Sequence, residues 1–156
     1  MKHVLFICTG NYYRSRFAEL LFDALARERG LPWTADSRGT SVLTLGHHNV
    51  GPLSVHARRA LAARGISVEE QPRAPAQLVH DDLVQADLIV AICEEEHRPH
   101  LEAGFPSVVA RVEYLRVHDL HVTPPDEALE ALDGDIRKLV ERLANGNAET
   151  RVTGTA

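Results

Sequence analysis

The chain has 156 residues, of which 44% are hydrophobic and two are cysteines. This length can bury one substantial core and is too short for two ordinary domains. The formal net charge is −5 with no basic cluster, which argues against a nucleic-acid surface because binding a phosphate backbone needs a local excess of Lys and Arg. Two cysteines are also too few for a disulfide framework.

The sequence contains no targeting or membrane signal that we can identify. No apolar run approaches the roughly 20 residues of a membrane-spanning helix. The opening residues, Met1-Lys2-His3-Val4, lack the apolar stretch and cleavage site of a secretory signal. We therefore expect a cytosolic protein with no membrane partner, in which residues 1–147 form one domain and residues 148–156 a frayed tail.

The first predicted elements are a strand and a helix joined by a short loop. Residues 4–7 are an uninterrupted apolar run, which predicts a strand buried on both faces and ending at Cys8. Apolar side chains recur at intervals of three and four over residues 17–25, which predicts a helix that ends at Gly30.

The middle of the chain continues the alternation of strands and helices. Residues 33–38 favour a second strand, and the glycine-rich residues 39–53 favour a long surface loop. Ser54 has the character of an N-cap, so we expect the next helix to cover residues 55–64 and to close at Gly65.

The second half begins with the clearest buried strand. Residues 87–92 form this strand, whose apolar residues 88–92 lead to Cys93, and a short helix is expected directly afterwards, broken near Pro99. Residues 107–112 favour another strand. Apolar residues with helical spacing over residues 129–143 predict a final amphipathic helix.

This order of elements predicts an α/β fold. Parallel neighbouring strands need crossover connections, and those connections cover both sheet surfaces. We expect one three-layer domain with a central parallel sheet of about four strands and helices on both faces. Ligands in such sheets bind beyond the carboxyl ends of the strands, which is where Cys8 is expected.

The segment from Cys8 to Ser15 carries the most specific functional signal. It reads Cys-Thr-Gly-Asn-Tyr-Tyr-Arg-Ser and joins the first strand to the first helix. Unpaired N–H groups and the positive end of the helix dipole suit a tetrahedral oxyanion there. Arg14 can grip two oxygens in a bidentate fork, and the same donors favour the nucleophilic thiolate form of Cys8.

The other residues of the loop support this interpretation. Gly10 and Asn11 suit a tightly turned backbone, and Ser15 can donate a hydrogen bond to the sulfur. Cys8 and Arg14 are the catalytic candidates; the predicted phosphate-binding loop comprises Thr9, Gly10, Asn11, Tyr12, Tyr13, Arg14 and Ser15. The alternative for Cys8 is a buried small residue where a strand ends.

The chain resembles the low-molecular-weight protein tyrosine phosphatase family. The resemblance rests on residues 4–21, VLFICTGNYYRSRFAELL, and continues through residues 36–40 and 86–90 and the closing helix. The family shares its fold with thioredoxin-coupled arsenate reductases. The resemblance implies a phosphatase acting on phosphotyrosine or similar phosphomonoesters through a thiophosphoryl intermediate.

The resemblance also carries expectations about partners. It implies a phosphorylated protein or a small phosphomonoester as substrate. It implies inorganic phosphate or a similar oxyanion as the bound anion, and no metal or cofactor.

The general acid departs from the family pattern. Members carry an Asp-Pro pair before the last helix, whereas counting back from Leu132 reaches Thr123-Pro124. A threonine hydroxyl is too weak an acid for a step that is typically worth about 10² to 10⁴-fold. Either Asp126 or Asp119 substitutes, or the chain is a catalytically weak or inactive oxyanion-binding member. Each Asp also has a structural interpretation, Asp126 as a helix-dipole partner and Asp119 as a loop carboxylate.

Three residues around the loop are also unusual for the family. Tyr12 and Tyr13 stand where members have a smaller residue and often a second cysteine, so Tyr13 cannot form a protective disulfide with Cys8. Tyr12 can stack on an aromatic phosphoester or brace the neighbouring loop. Arg16 replaces the usual proline, and we expect it to be a solvated first-turn residue.

Cys93 is relevant to two other possible functions, arsenate reduction and metal binding. Reductases of this fold pass oxidation to two further cysteines; Cys93 occupies the place of the first, but His100 stands at the second, which disfavours arsenate reduction. Cys93, His97 and His100 have the spacing of metal ligands on a helix, although Pro99 interrupts it and a fourth ligand is missing. The simplest interpretation of Cys93 is a buried residue at a strand end.

Overall fold

The computed structural model describes residues 1–146. Its strands are β1 (Lys2–Cys8), β2 (Trp33–Gly39), β3 (Leu88–Ala91) and β4 (Val112–Tyr114). Its α-helices are α1 (Arg14–Arg29), α2 (Val42–Leu45), α3 (Val55–Ala63), α4 (His80–Gln85), α5 (Glu94–Gly104) and α6 (Pro125–Ala144). Short 3₁₀ helices cover Gly46–His48 and Pro106–Arg111. The tail predicted for residues 148–156 lies outside the described residues.

The four strands form one parallel sheet in the order β2-β1-β3-β4. Because all strands run the same way, their carboxyl ends meet at one edge of the sheet. In the pairing of β1 with β2, Cys8 lies opposite Gly39 at that edge. The predicted fold class, a parallel sheet of about four strands covered by helices, is confirmed.

Both faces of β1 are buried, but against different helices, because side chains alternate along a strand. Val4, Phe6 and Cys8 belong to the core shared with α1, α3 and α6. Leu5 and Ile7 belong to a second core that includes residues of α4 and α5. Cys8 therefore ends the strand on the face covered by α1.

Two helix boundaries follow from local chemistry that the sequence displays. Gly30 ends α1 in the left-handed region with φ 64°, where a glycine pays no steric penalty. Ser54 caps α3, since its side chain accepts a hydrogen bond of 3.2 Å from the His56 N–H. Both predictions are confirmed, with α3 ending at Ala63, one residue earlier than expected.

The predicted break of α5 at Pro99 is wrong. The helix continues to Gly104. Pro99 lies in the second turn, so its missing N–H removes only the bond to the Glu95 carbonyl near the start of the helix. Leu101, further along, is fully buried in the second core and holds the continuing turns against the sheet.

The other differences concern short elements. The strand predicted for residues 107–112 is mostly a 3₁₀ helix, initiated by Pro106 in its first turn, and β4 is only three residues long. The loop predicted for residues 39–53 contains α2 and a 3₁₀ turn. Helix α4 was not predicted, because its six residues bury only Leu83 and show no helical period. Within residues 1–146, no helix is both long and apolar enough to cross a bilayer.

Candidate active site

Cys8 is held at the end of β1 with its thiol against Ser15. The residue is 2% exposed, and its Sγ lies 2.9 Å from Ser15 Oγ. The Asn11 amide donates to the same Ser15 oxygen at 2.9 Å. Since that bond uses Ser15 as an acceptor, the hydroxyl hydrogen of Ser15 is free to point at the sulfur. The arrangement allows Ser15 to donate a hydrogen bond to the sulfur of Cys8.

Asn11 fixes the turn of the loop. Its φ of 50° lies in the left-handed region, which asparagine tolerates better than most residues. The amide nitrogen also donates to Ser37 Oγ at 2.8 Å, and the amide oxygen accepts from Arg73 Nη1 and the Ala76 N–H, each at 3.0 Å. All the hydrogen-bonding capacity of this fully buried side chain is used within the loop and its neighbours.

Gly39 lets the end of β2 approach this loop closely. A Cβ at this position would lie 2.6 Å from the Thr9 carbonyl oxygen and 2.9 Å from the Asn11 nitrogen. Backbone atoms at those distances cannot move aside cheaply, so any side chain here displaces the loop. The geometry of the loop therefore requires a glycine at position 39. The sequence analysis did not identify Gly39 as a site residue.

The backbone of the loop leaves several donors available. Among the described residues, the N–H groups from Gly10 to Arg14 donate no hydrogen bond. α1 begins at Arg14, and its first turn has no acidic side chain to occupy the positive end of the helix dipole. Unpaired N–H groups at a helix amino terminus form an anion-binding position.

Arg14 uses three of its five N–H groups on protein acceptors. Nη1 donates to Glu96 Oε1 at 3.3 Å and to the Val117 carbonyl at 2.9 Å, while Nη2 donates to Glu96 Oε2 at 2.5 Å. The residue is 2% exposed, so this position is fixed by packing as well as by polar contacts. Within the described residues, the edge formed by Nε and the second hydrogen of Nη2 makes no hydrogen bond, although the Asp119 carboxylate lies 3.6 Å from Nη2; this edge can bind two oxygens of a ligand.

Glu96 is a shared acceptor for the groups around Arg14. Its Oε2 also accepts from the Thr9 hydroxyl and lies 2.8 Å from His97 Nε2. Burial alone would raise the pKa of the Glu96 carboxyl, but the hydrogen bonds from His97 and Arg14 outweigh burial and hold the pKa far below its ordinary value. Glu96 is therefore a carboxylate across the working pH range.

His97 is neutral in this network. The ring is fully buried, and its Nδ1 accepts the Cys93 N–H at 3.0 Å, so the single ring proton sits on Nε2, facing Glu96. Burial lowers the pKa of His97, although the hydrogen bond to Glu96 partly opposes this. The metal role considered for His97 conflicts with this use of both ring nitrogens.

Cys8 opens onto a cavity of ≈ 290 Å³. One side consists of loop residues, namely Cys8, Gly10, Tyr12, Tyr13 and Arg14. The other side is formed by Asn49 and by residues 119–121. The cavity thus brings the predicted nucleophile and arginine together with one of the two candidate acids.

The structure separates Asp119 from Asp126. Asp119 Oδ2 lies 3.6 Å from Arg14 Nη2 and lines the cavity above Cys8. Asp126 is the second residue of α6 and lines a different cavity, between α3 and α6. Thr123, at the expected place of the acid, donates its N–H to the Asp119 carbonyl at 3.0 Å.

The two tyrosines of the loop have different surroundings. Tyr12 is partly exposed, and its hydroxyl donates to the Val50 carbonyl at 2.5 Å, so it contacts the neighbouring loop while lining the cavity. Tyr13 is 5% exposed and packs edge-on against His56. Burial, followed by the nearby Asp119 carboxylate, raises the pKa of Tyr13 to about 12, so its phenol stays protonated.

Arg16 is not solvated, contrary to the prediction. It is 1% exposed, and its Nη1 donates to the carbonyls of Pro52 and Arg73, each at 3.1 Å. Burial, together with the charge of Arg73, lowers the pKa of this guanidinium. Arg16 thus ties two loops to the first turn of α1.

Cys93 is buried, at 1% exposure, where the chain leaves β3. Its Sγ lies 3.5 Å from His118 Nδ1, and it lines a cavity different from that of Cys8. His100, the residue at the second relay position, is exposed on α5. Within residues 1–146, no cluster of three or more His, Cys, Asp or Glu side chains is arranged to hold a metal ion.

Sequence reasoning missed Glu96 and Arg73. Glu96 is one of three consecutive glutamates, Glu94-Glu95-Glu96, and only the phase of α5 decides which one faces the loop. Their position just after a buried strand was the available signal. Arg73 lies in an irregular connection between two prolines, where periodicity gives no information.

Comparison with known proteins places these features in a family. The family model described as low molecular weight phosphotyrosine protein phosphatase matches residues 3–148. Low molecular weight protein-tyrosine phosphatase A of Mycobacterium tuberculosis is 33% identical over 132 residues, covering 84% of this chain and 72% of that protein.

Solved structures show the same architecture. The low molecular weight protein tyrosine phosphatase from T. tengcongensis matches with a TM-score of 0.75 and 28% identity, over 91% of this chain and 99% of that one. The YwlE arginine phosphatase from Geobacillus stearothermophilus matches with a TM-score of 0.69 and 22% identity, over 98% of this chain and 97% of that one. At 22% identity the likeness concerns the fold alone.

Proposed function

Because this chain belongs to the low molecular weight phosphotyrosine protein phosphatase family, a family of hydrolases, we propose that it hydrolyses phosphotyrosine or similar phosphomonoesters through Cys8. One observation carries the proposal. Cys8, Arg14 and the loop between them line one cavity, and within the described residues the backbone N–H groups from Gly10 to Arg14 donate no hydrogen bond. A phosphorylated protein or a small phosphomonoester is the expected partner.

The first chemical step transfers the phosphoryl group to sulfur. The Cys8 thiolate attacks phosphorus, an S–P bond forms, and the ester P–O bond breaks. The loop N–H groups and Arg14 bind the three equatorial oxygens, whose charge is greatest in the transition state. The leaving oxygen takes a proton from a general acid and departs as a neutral alcohol or phenol.

The second step regenerates the thiolate. Water attacks phosphorus, its proton passes to the carboxylate formed in the first step, and the S–P bond breaks to release inorganic phosphate. Ser15 donates a hydrogen bond to the departing sulfur over the 2.9 Å separation seen in the structure. This contact lowers the barrier to thiolate departure because it stabilises the developing negative charge.

We assign the general acid to Asp119. Its carboxylate lies in the same cavity as Cys8 and 3.6 Å from Arg14, whereas Asp126 lines another cavity. A proton donor must come within hydrogen-bond reach of the leaving oxygen in a plausible substrate position. Asp119 lines the cavity that contains the thiol, which supports this assignment, whereas Thr123 has no group acidic enough for the role.

The alternative is a catalytically weak or inactive member that binds phosphate-like oxyanions. Thr123 supports this alternative, because it stands where the family acid is expected and its hydroxyl is too weak an acid for that role. An intact loop would still bind the anion in that case, since its donors do not depend on the acid.

Hydrolysis of para-nitrophenyl phosphate distinguishes these candidates. We expect wild-type turnover, a loss of at least about 10⁴-fold in Cys8→Ser, and near-wild-type turnover in Cys93→Ala, which removes the other thiol. Phosphotyrosine and phosphoarginine complete the panel, the latter because YwlE, which shares the fold, is an arginine phosphatase.

Two results would contradict the proposal. Full hydrolysis by a folded Cys8→Ser protein would exclude the nucleophile. A folded wild-type protein that binds phosphate or vanadate in calorimetry without turning over any of the three substrates would identify the oxyanion binder instead.

A further inference from the structure

Arg14 already donates three hydrogen bonds to protein acceptors. Its guanidinium end, formed by Nη1 and Nη2, faces the two oxygens of Glu96 in a bidentate pair at 3.3 and 2.5 Å. The second hydrogen of Nη1 goes to the Val117 carbonyl at 2.9 Å. A planar guanidinium held at its end in this way can turn only one remaining edge, Nε with Nη2, towards another group.

We propose that Glu96 is the positioning residue of Arg14, and that its carboxylate fixes the guanidinium so that the Nε–Nη2 edge faces the bound phosphoryl group. The proposal rests on the proposed function for its effect on turnover. Its effect on oxyanion binding does not depend on turnover.

Glu96 is itself held in place. The Thr9 hydroxyl donates to Oε2, and His97 Nε2 lies 2.8 Å from the same oxygen. The His97 ring cannot turn, because Nδ1 is occupied by the Cys93 N–H at 3.0 Å and the side chain is fully buried. The carboxylate is thus anchored to α5 and to the loop before any ligand binds.

Loss of Glu96 would also affect Asp119, the other carboxylate near Arg14. Its Oδ2 lies 3.6 Å from Arg14 Nη2, compared with 2.5 Å for Glu96 Oε2. Without Glu96, Asp119 would be the nearest remaining carboxylate for a freed guanidinium. Arg14 would then turn away from the phosphoryl group and form an ion pair with Asp119, the residue to which we assign proton transfer.

The opposite role for Glu96 is also testable. A carboxylate beside an oxyanion site repels a bound anion, and Glu96 would inhibit binding if it occupied the space of the phosphoryl group. Removing an inhibitory carboxylate would tighten phosphate binding, whereas removing a positioning carboxylate would weaken it. The sign of the change therefore separates the two roles.

The test uses Glu96→Gln, which keeps the size of the side chain but removes its charge. Glu95→Gln is the matched control, because Glu95 is exposed on the same turn of α5. We expect Glu96→Gln to lower kcat for para-nitrophenyl phosphate by about 10- to 100-fold with a smaller change in KM, since Arg14 acts mainly on the transition state. Glu95→Gln should stay within about twofold of wild type.

Phosphate binding, measured by calorimetry, provides the readout that is independent of turnover. We expect Glu96→Gln to bind inorganic phosphate more weakly than both wild type and Glu95→Gln. Tighter binding would overturn the proposal in favour of inhibition. If wild type binds phosphate but shows no turnover, the proposed function fails while this part of the inference is still decided.

A double-mutant cycle with Arg14→Lys tests whether Glu96 acts through Arg14. In the Arg14→Lys protein, adding Glu96→Gln should change phosphate binding by less than about twofold. If the two losses simply multiply, Glu96 acts independently of Arg14 and the proposal is wrong. Thermal unfolding identifies a misfolded variant, and Glu96→Asp, which keeps the charge but shortens the reach, should then show an intermediate loss of binding.

Discussion

The two sides of the cavity are built in different ways. The loop side is buried, and the fully buried Asn11 amide uses every donor and acceptor on neighbouring groups. The opposite side, formed by Asn49 and residues 119–121, is more exposed, with Leu120 at 43% exposure. There the Asp119 carbonyl accepts the N–H groups of Val122 and Thr123, which hold only a local turn.

This difference indicates how the two parts of the site tolerate change. On the loop side, a substitution leaves buried polar partners unpaired, so geometry and folding free energy change together. On the exposed side, a substitution alters the chemistry with little effect on packing. Thr123, which stands where the resemblance predicts the acid, lies in the turn that the Asp119 carbonyl holds next to this exposed side.

Of the substitutions that distinguish the two sides of the cavity, Asp119→Asn should have the largest effect on kcat. We expect kcat for phenyl phosphate, a poor leaving group, to fall by about 10² to 10⁴-fold because its oxygen leaves unprotonated. The loss should be much smaller with para-nitrophenyl phosphate, whose leaving group is stable as an anion. The free energy of unfolding, from urea titration, should change by less than about 0.5 kcal/mol.

Asp126→Asn is the matched control for this prediction. Asp126 is exposed in the first turn of α6 and lines another cavity, so we expect both substrates to react as in wild type. A leaving-group-dependent loss in Asp126→Asn, with none in Asp119→Asn, would reverse the assignment of the acid. Equal losses with both substrates in Asp119→Asn would indicate that this carboxylate orients Arg14 rather than donating a proton.

Asn11→Ala tests the buried side and should affect stability and activity together. It removes four hydrogen bonds and leaves the Ala76 N–H without its acceptor. We expect the free energy of unfolding to fall by about 2 to 4 kcal/mol, and kcat by about 10²-fold because the loop no longer holds its turn. Urea titration and steady-state kinetics measure the two effects.

The control lies on the exposed side of the same cavity. His121→Ala should leave the free energy of unfolding within about 0.5 kcal/mol of wild type, since His121 is exposed. If Asn11→Ala proves as stable as His121→Ala, the network around Asn11 is not what holds the loop, and the distinction between the two sides fails.

The sequence was informative where one local rule decides the structure. The apolar run before Cys8 predicted a strand buried on both faces, and α1 ends at Gly30 as its spacing indicated. The order of strands and helices was enough to predict the parallel sheet, because crossover connections admit few alternatives. The spacing of Cys8 and Arg14 placed both residues in one loop, and the structure brings them to one cavity.

Features that depend on tertiary packing were not predictable in this way. The phase of α5 decides that Glu96, rather than Glu95, contacts Arg14. Arg16 is a charged residue of a type that is usually exposed to solvent. It is buried here because two loops present carbonyl groups to it. Gly39 is needed because the loop approaches β2 to within contact distance, a relation between segments that a single sequence does not display.

Tyr12 is a partly exposed residue of the loop side, and its replacement should have the smallest effect. Its ring lines the cavity while its hydroxyl contacts the Val50 carbonyl at 2.5 Å. If the ring stacks on the substrate, Tyr12→Leu should raise KM for para-nitrophenyl phosphate by about fivefold, a loss near 1 kcal/mol, without changing KM for glycerol phosphate. Steady-state kinetics with both substrates measure this ratio.

Tyr12→Phe separates stacking from bracing of the neighbouring loop. It keeps the ring and removes only an exposed hydrogen bond, so KM for both substrates should stay within about twofold of wild type and unfolding should cost less than about 1 kcal/mol. If Tyr12→Leu raises KM equally for the aryl and the alkyl phosphate, the ring does not recognise the leaving group. Tyr12 would then act only as a brace between its own loop and the loop that carries Val50.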